Sequence, residues 1–138
     1  MTFYTTVRVI WADTDAARIV WFGTYFRYFE IAEMALFDAM GASLSGVLQG
    51  HHILMPRTTI TCNYRSPARF DDVLDLGLGI EGVTDRRVRL AFQIRQHESQ
   101  RVVAEGNYEI ACVDETTFKG RPFPDEVRAL FDSLVAKA

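Results

Sequence analysis

TYFRYFEIAEMALFDAM, residues 24–40, decides how the rest of the chain must fold. Tyr25, Phe29, Ala32, Leu36 and Ala39 recur at spacings of three and four, and Phe26, Ile31, Met34 and Phe37 widen the apolar surface. That period belongs to an α-helix, where residues three and four apart share a face. A helix lying on a protein surface needs only one apolar stripe. One this apolar must be enclosed on most sides, and a curved sheet is the simplest wrapping. Thr24 is the expected N-cap and Gly41 the expected stop. Arg27, Glu30, Glu33 and Asp38 read as a narrow solvated side, with Glu30 a candidate for a supporting role at a subunit contact.

Outward from the helix, the sequence supplies that sheet. Before it, Phe3 to Trp11 alternate with strand period, and the segment ADTDAARIVWFG then breaks all periodicity, which marks a functional loop. After it comes a loop containing Gly46 and Gly50, then four strand-like runs: Ile53 to Arg65, Val73 to Gly82, Arg87 to His97 and Val102 to Val113. No helical crossover separates them, and the breaks SPARFDD, VTDR and HESQR are turn-like, so the strands are expected to be antiparallel. Pro124, Asp125 and Glu126 open a short final helix with Val127, Leu130, Phe131, Leu134 and Val135 on one stripe. The order predicts an α+β class: a five-stranded antiparallel sheet curled around one long apolar helix, with a short C-terminal helix. Residues 1–138 read as one domain.

Bulk properties narrow the function. A net charge of −3 offers no basic field for a nucleic acid backbone, so no nucleic-acid partner is expected. No stretch reaches the roughly 20 apolar residues of a membrane span, and MTFYTTVRV lacks the pattern of a signal peptide, so no membrane partner and a cytoplasmic location are expected. Cys62 and Cys112 lie in strand-like runs, without CxxC spacing or a ligand pattern with the three histidines, and read as reduced core residues. Neither a metal nor a redox cofactor is expected.

The run Val9-Ile10-Trp11-Ala12-Asp13-Thr14-Asp15, followed by Ile19-Val20-Trp21-Phe22, by Tyr25 through Glu30 and by Gly41, closely resembles the hotdog-fold acyl-CoA thioesterases of the 4-hydroxybenzoyl-CoA thioesterase type. Tyr64, the turn Pro67 to Asp72, Ala104-Glu105-Gly106, and Gly120-Arg121-Pro122 with Pro124 extend the match, which covers roughly residues 7 to 131. Two departures stand out. Arg18 occupies a loop position where the family pattern usually has Gly, although Gly adopts positive φ far more cheaply. Thr24 stands where many members have Asn.

The resemblance implies a hotdog fold and hydrolysis of an aromatic (benzoyl- or hydroxybenzoyl-like) or short-chain acyl-CoA to free acid and CoA. It assigns catalysis to Asp15, as nucleophile or general base. Backbone N–H groups near Phe22 and Gly23, at the start of the long helix, would face the acyl oxygen as its charge develops, and Gly23 has room for close approach by a substrate. A loop Asp ordinarily caps a turn; the surrounding motif lifts Asp15 above that reading. Asp13 reads as a carboxylate that caps backbone amides, a supporting partner for Asp15 being the alternative. Trp21, Met55, Thr58 and Ile60, with Phe22, are the candidate acyl-pocket residues, core packing being the competing reading for Met55 and Ile60. Arg86 and Arg87 are the candidates for CoA phosphate, ahead of Arg69, Lys119 and Arg121. His51 and His52 read as structural or pocket-wall residues. The chain is expected to form a homo-oligomer, a dimer or a dimer of dimers (homotetramer), because such sites lie between subunits and the sheet leaves an edge to be paired. The alternatives are a non-catalytic acyl-CoA or lipid-binding module on the same fold, and a structural interaction domain with an unrelated sheet-on-helix fold.

Overall fold

In the computed structural model, which describes residues 1–135, the elements are β1 (Phe3–Arg8), α1 (Thr24–Ala39), α2 (Leu44–His51), β2 (Ile53–Leu54), β3 (Arg57–Tyr64), β4 (Val73–Val83), β5 (Arg87–Gln96), β6 (Val102–Ala111), β7 (Val113–Asp114) and α3 (Asp125–Val135). Five strands form one antiparallel sheet in the order β1-β4-β5-β6-β3, and β2 pairs with β7 in a small second sheet. The alternation read in the sequence is the alternation of burial. Leu74, Leu76, Leu78 and Ile80 on β4, and Val88, Leu90, Phe92 and Ile94 on β5, all turn inward. Against them lies α1, whose Phe29 ring sits 3.8 Å from that of Phe92 and 5.8 Å, stacked, from that of Tyr108. Each such large side chain removed from water contributes roughly 1.5–3 kcal/mol, and the α1 stripe supplies Tyr25, Tyr28, Phe29, Leu36 and Phe37.

The helix stops where Gly41 predicted it would. Gly41 takes φ 81°, its N–H donates to the Asp38 carbonyl, and the Ala42 N–H reaches back to Phe37, a pair of bonds that satisfies carbonyls the helix leaves open. Its start differs from the expectation. Thr24 is already helical, Gly23 precedes it as the cap residue, and the Thr24 hydroxyl donates to the Asp13 carbonyl at 3.1 Å instead of capping.

Three further expectations are corrected. The segment with Gly46 and Gly50 is not a loop: it is α2, capped by the Ser43 hydroxyl accepting from Gly46 N–H at 3.1 Å and anchored by buried Val47. The run Ile53 to Arg65 is two strands, because Pro56 has no N–H to offer a ladder and the chain jogs there between sheets. Glu33 is not on a solvated face; only 3% of it is exposed. No single helix among the described residues is long and apolar enough to cross a membrane.

Candidate active site

Asp13 organises the loop before α1. Its carboxylate is buried and accepts from the Arg27 guanidinium, from the Tyr28 hydroxyl at 2.9 Å and from the Ile10 N–H at 3.1 Å. Its carbonyl takes the Trp21 N–H at 3.0 Å and the Thr24 hydroxyl. One residue therefore ties the end of β1, the return of the loop and the first turn of the helix together. The amide-capping role read from the sequence is present, and the ion pair with Arg27 and the bond to Tyr28 are additions that spacing alone did not reveal. Burial, reinforced by the carboxylate beside it, drives the Tyr28 phenol far above its ordinary range.

Asp15 stands on a tight turn hung from this hub. The Asp15 N–H donates to Ile19 and the Arg18 N–H to the Asp15 carbonyl, closing the turn, while Thr14 and Val20 form a bridge below it. Arg18 adopts φ 63°, the left-handed conformation for which Gly would be the cheaper residue. The exposed Asp15 carboxylate uses Oδ1 to accept the Ala17 N–H at 2.9 Å, and among the described residues Oδ2 has no partner. Turn-capping and a free, solvent-facing carboxylate oxygen therefore coexist in one side chain.

Beside Asp15 runs an open crevice of about 460 Å³, walled by Val20, Phe22, Tyr25, Tyr64 and Arg65. A second concavity, of about 700 Å³, lies on the other flank of the same turn, against Trp11, Arg18 and Phe70. Loop 65–72 closes the floor: the Ala68 carbonyl accepts from Val20 N–H at 2.8 Å, and Asp71 and Asp72 bond to both backbone groups of Val9. At the helix entrance the Tyr64 hydroxyl donates to the Phe22 carbonyl at 2.9 Å. The N–H groups of Phe22 and Gly23 find no acceptor among the described residues, which leaves the opening of α1 with donors to spare. Desolvation pushes the phenols of Tyr25 and Tyr64 up to about 12 each, so both are neutral hydrogen-bonding groups at ordinary pH. Tyr25, Tyr64, Arg65 and Ser66 were not singled out from the sequence as crevice residues; Tyr25 and Tyr64 carried a signal, as parts of the family match.

The other candidates fall elsewhere in the chain. Trp21 lays its indole over Gly23, where any Cβ would come within 2.3 Å of a ring carbon, so the space at Gly23 is filled by its neighbour and not left for substrate. Met55 lines a separate cavity deeper along α1. Thr58 and Ile60 sit exposed on β3, the sheet's edge, with the Thr58 hydroxyl bonded to Glu109. Arg86 and Arg87 lie at the β4–β5 hairpin, beside the N-terminal end of β3, whereas Asp15 lies near its C-terminal end. Eight residues of strand make these ends roughly 23 Å apart. Arg87 is engaged with Glu109 at 2.6 Å, and Arg86 makes no ion pair among the described residues. His51, His52 and His97 each face a carboxylate, Glu126, Glu115 and Asp75 respectively. Cys62 and Cys112 are free thiols. No group of three or more His, Cys, Asp or Glu side chains suited to hold a metal ion occurs among the described residues.

One polar cluster escaped the sequence reading altogether. The Glu33 carboxylate pairs through Oε2 with Arg57 of β3, and the hydroxyl of buried Tyr108 lies beside it as a second donor. Burial raises the Glu33 pKa and the Arg57 guanidinium opposes it.

A family model described as the thioesterase-like superfamily matches residues 9–131. Among curated proteins the chain is 27% identical over 128 residues to the acyl-CoA thioesterase YbgC of Haemophilus influenzae, covering 93% of each sequence. Among solved structures it superposes with a TM-score of 0.88 and 23% identity on Slr0204, a 1,4-dihydroxy-2-naphthoyl-CoA thioesterase from Synechocystis, over 96% of both chains, a likeness of fold. It superposes with a TM-score of 0.81 and 25% identity on the gentisyl-coenzyme A thioesterase BH1999, over 91% of this chain and 99% of that one.

Proposed function

Because the chain belongs to the thioesterase-like superfamily, we propose that it is an acyl-CoA thioester hydrolase whose catalytic carboxylate is Asp15. The observation that carries the reading is the crevice shared by Asp15 and Phe22, with a free carboxylate oxygen on one side and unpaired helix-opening amides on the other. In the hydrolysis, Asp15 either attacks the thioester carbonyl or takes the proton of the water that does. The carbonyl oxygen gains charge against the N–H groups of Phe22 and Gly23, the C–S bond breaks, and the CoA thiolate leaves and takes up a proton, from Asp15 in the general-base route and from solvent in the nucleophilic one. In the nucleophilic route water then hydrolyses the Asp15 mixed anhydride to the free acid and restores the carboxylate. No cofactor enters this scheme beyond the CoA of the substrate. The acyl group proposed is aromatic or short, in keeping with the aromatic acyl-CoA named for two of the similar proteins.

The working unit proposed is a homodimer, with a dimer of dimers above it, acting in the cytoplasm. β3 supports this assembly. It is an eight-residue edge strand with seven residues exposed, including Ile60, so even its inward side chains lack cover; β1, the other edge, alternates normally. A two-fold pairing of β3 with its copy is antiparallel. It would bring the partner's β3 N-terminal end, with the hairpin carrying Arg86 and Arg87, beside the Tyr64 end that borders the Asp15 crevice. That arrangement reunites Asp15 with Met55, Thr58 and the arginines, which one subunit keeps apart.

Asp15→Asn tests the reading. Release of CoA thiol from benzoyl-, phenylacetyl- and straight-chain CoA esters should fall about 10²- to 10⁴-fold while acyl-CoA binding persists. A variant within tenfold of the wild type refutes the assignment, and a wild type that binds these esters yet hydrolyses none is a non-catalytic binding module.

A further inference from the structure

The peptide that opens α1 can face either of two ways, and its own residues do not settle which. The Thr24 N–H donates to the Trp21 carbonyl at 2.9 Å, so residues 21–24 form a β-turn whose central peptide joins Phe22 to Gly23. Gly23 sits at φ −74°, ψ −21°, close to the third-residue geometry of a type I turn. Inverting that one peptide gives a type II turn, which needs positive φ at the third residue, and glycine reaches it without steric cost. For a thioester the two orientations are opposites, because the C=O and N–H of a trans peptide point to opposite sides. As the turn stands, the Phe22 carbonyl is taken by Tyr64 and the Gly23 N–H is left open. Inversion would exchange them, and a donor to developing negative charge would become a repelling dipole.

The deciding contact comes from a distant strand. Tyr64, the last residue of β3, donates its hydroxyl to the Phe22 carbonyl at 2.9 Å, across 42 residues of chain. Its ring is steadied by an edge contact with Tyr25 of α1, 5.5 Å between centroids. With its pKa pushed up to about 12, chiefly by desolvation, the phenol keeps its proton and donates throughout the range in which a CoA ester is stable. The Cys62 thiol, two residues earlier on the same side of the strand, also lies against the phenol, and as a neutral thiol it is the weaker partner.

We propose that Tyr64 is a positioning residue for the hydrolysis: its hydroxyl holds the Phe22–Gly23 peptide with the carbonyl turned from the acyl oxygen and the N–H turned toward it. The same bond anchors Phe22, whose own N–H is the companion donor. It also draws electron density from the peptide, which makes the Gly23 N–H a stronger donor, as hydrogen bonds in a chain polarise one another. The inference rests on the thioesterase reading and on the oxyanion role given above to these two amides. It adds a residue that touches neither the thioester nor Asp15 and acts through the peptide it holds.

Tyr64→Phe removes the hydroxyl and keeps the ring, and at a half-exposed position it should fold as the wild type does. Circular dichroism and sedimentation check the fold and the assembly. With the best hydrolysed of the benzoyl-, phenylacetyl- and straight-chain CoA esters, kcat should fall at least about threefold while KM stays within about twofold. The fall should stop short of the roughly 10²- to 10³-fold cost of losing an oxyanion donor outright, because one neutral hydrogen bond shifts an equilibrium by about tenfold at most. A residue that merely walls the crevice would raise KM and spare kcat. A second readout needs no turnover. In Asp15→Asn the infrared carbonyl stretch of the bound ester should lie below that of the free ester, and adding Tyr64→Phe should return it part of the way. An unchanged kcat, an effect confined to KM, or a carbonyl frequency indifferent to Tyr64 overturns the inference while leaving a wild type that hydrolyses these esters a thioesterase. A wild type that hydrolyses none of them overturns the thioesterase reading, and this inference with it.

Discussion

Consider removing the Asp13 carboxylate by Asp13→Ala. The substitution strands the Tyr28 hydroxyl, which is fully buried, and releases the Ile10 N–H and the Arg27 guanidinium. A buried hydroxyl left without its acceptor costs about 1–3 kcal/mol. Arg27 is 47% exposed and turns back into water, so its share must be discounted well below that of a buried ion pair. The Ile10 N–H adds about 0.5–1 kcal/mol. The expected loss is therefore roughly 2–4 kcal/mol, read as a lower urea midpoint at fixed protein concentration, since the stability of the proposed dimer would depend on concentration. Tyr28→Phe placed in the Asp13→Ala background removes the stranded hydroxyl and should recover at least about 1 kcal/mol. A single variant within about 0.5 kcal/mol of the wild type, or a double variant with no recovery, refutes the view that this carboxylate holds the loop to the helix.

Three other outcomes are expected. Arg18→Gly should raise stability by about 0.5–1 kcal/mol, because φ 63° strains a residue with a Cβ; a loss of stability in thermal melts would count against strain there. Tyr25→Phe should flatten the alkaline side of the stability curve. The folded-state pKa of about 12 lies above the unfolded value of 10.0, so the stabilisation is complete below pH 10 and vanishes as pH climbs through 12. In that window the variant's slope should be shallower by about 1.4 kcal/mol per pH unit, and identical slopes would contradict it. Ile60→Asp puts a charge in the middle of β3, where the proposed two-fold would set it near its own copy. Sedimentation should show the dimer weakened at least about tenfold with a parallel loss of turnover, and an unshifted dimer would exclude β3 as the interface.

How much of this was legible depended on whether a residue's environment is set by its neighbours in sequence or by distant strands. The α1 stripe and the alternation of β4 and β5 follow from periodicity, and they fixed a helix inside a curved antiparallel sheet. Gly41 was readable because positive φ is a local demand. α2 was not: Gly46 and Gly50 argue for a loop, and the helix exists because Ser43 caps it and Val47 is buried by tertiary contact. Glu33 was read as solvated because α1's pattern assigns it to the polar side; Arg57, 24 residues away in sequence, and Tyr108 make its burial tolerable. Asp13 and Asp15 lie two residues apart, and sequence suggested a cap and a reactive group without their separate fates. The carboxylate of Asp13 is sealed inside, whereas that of Asp15 stands in solvent between two concavities.

The indole of Trp21 lying where Gly23 would carry a methyl group means that these two positions cannot drift independently. Bulk at residue 23 requires the half-exposed indole to swing aside or a smaller neighbour at 21, and a descendant that shrinks the neighbour first is free to acquire the bulk. The pair is a single heritable unit at the doorway of the helix. An engineer wishing to widen that doorway would begin with the tryptophan and leave the glycine alone.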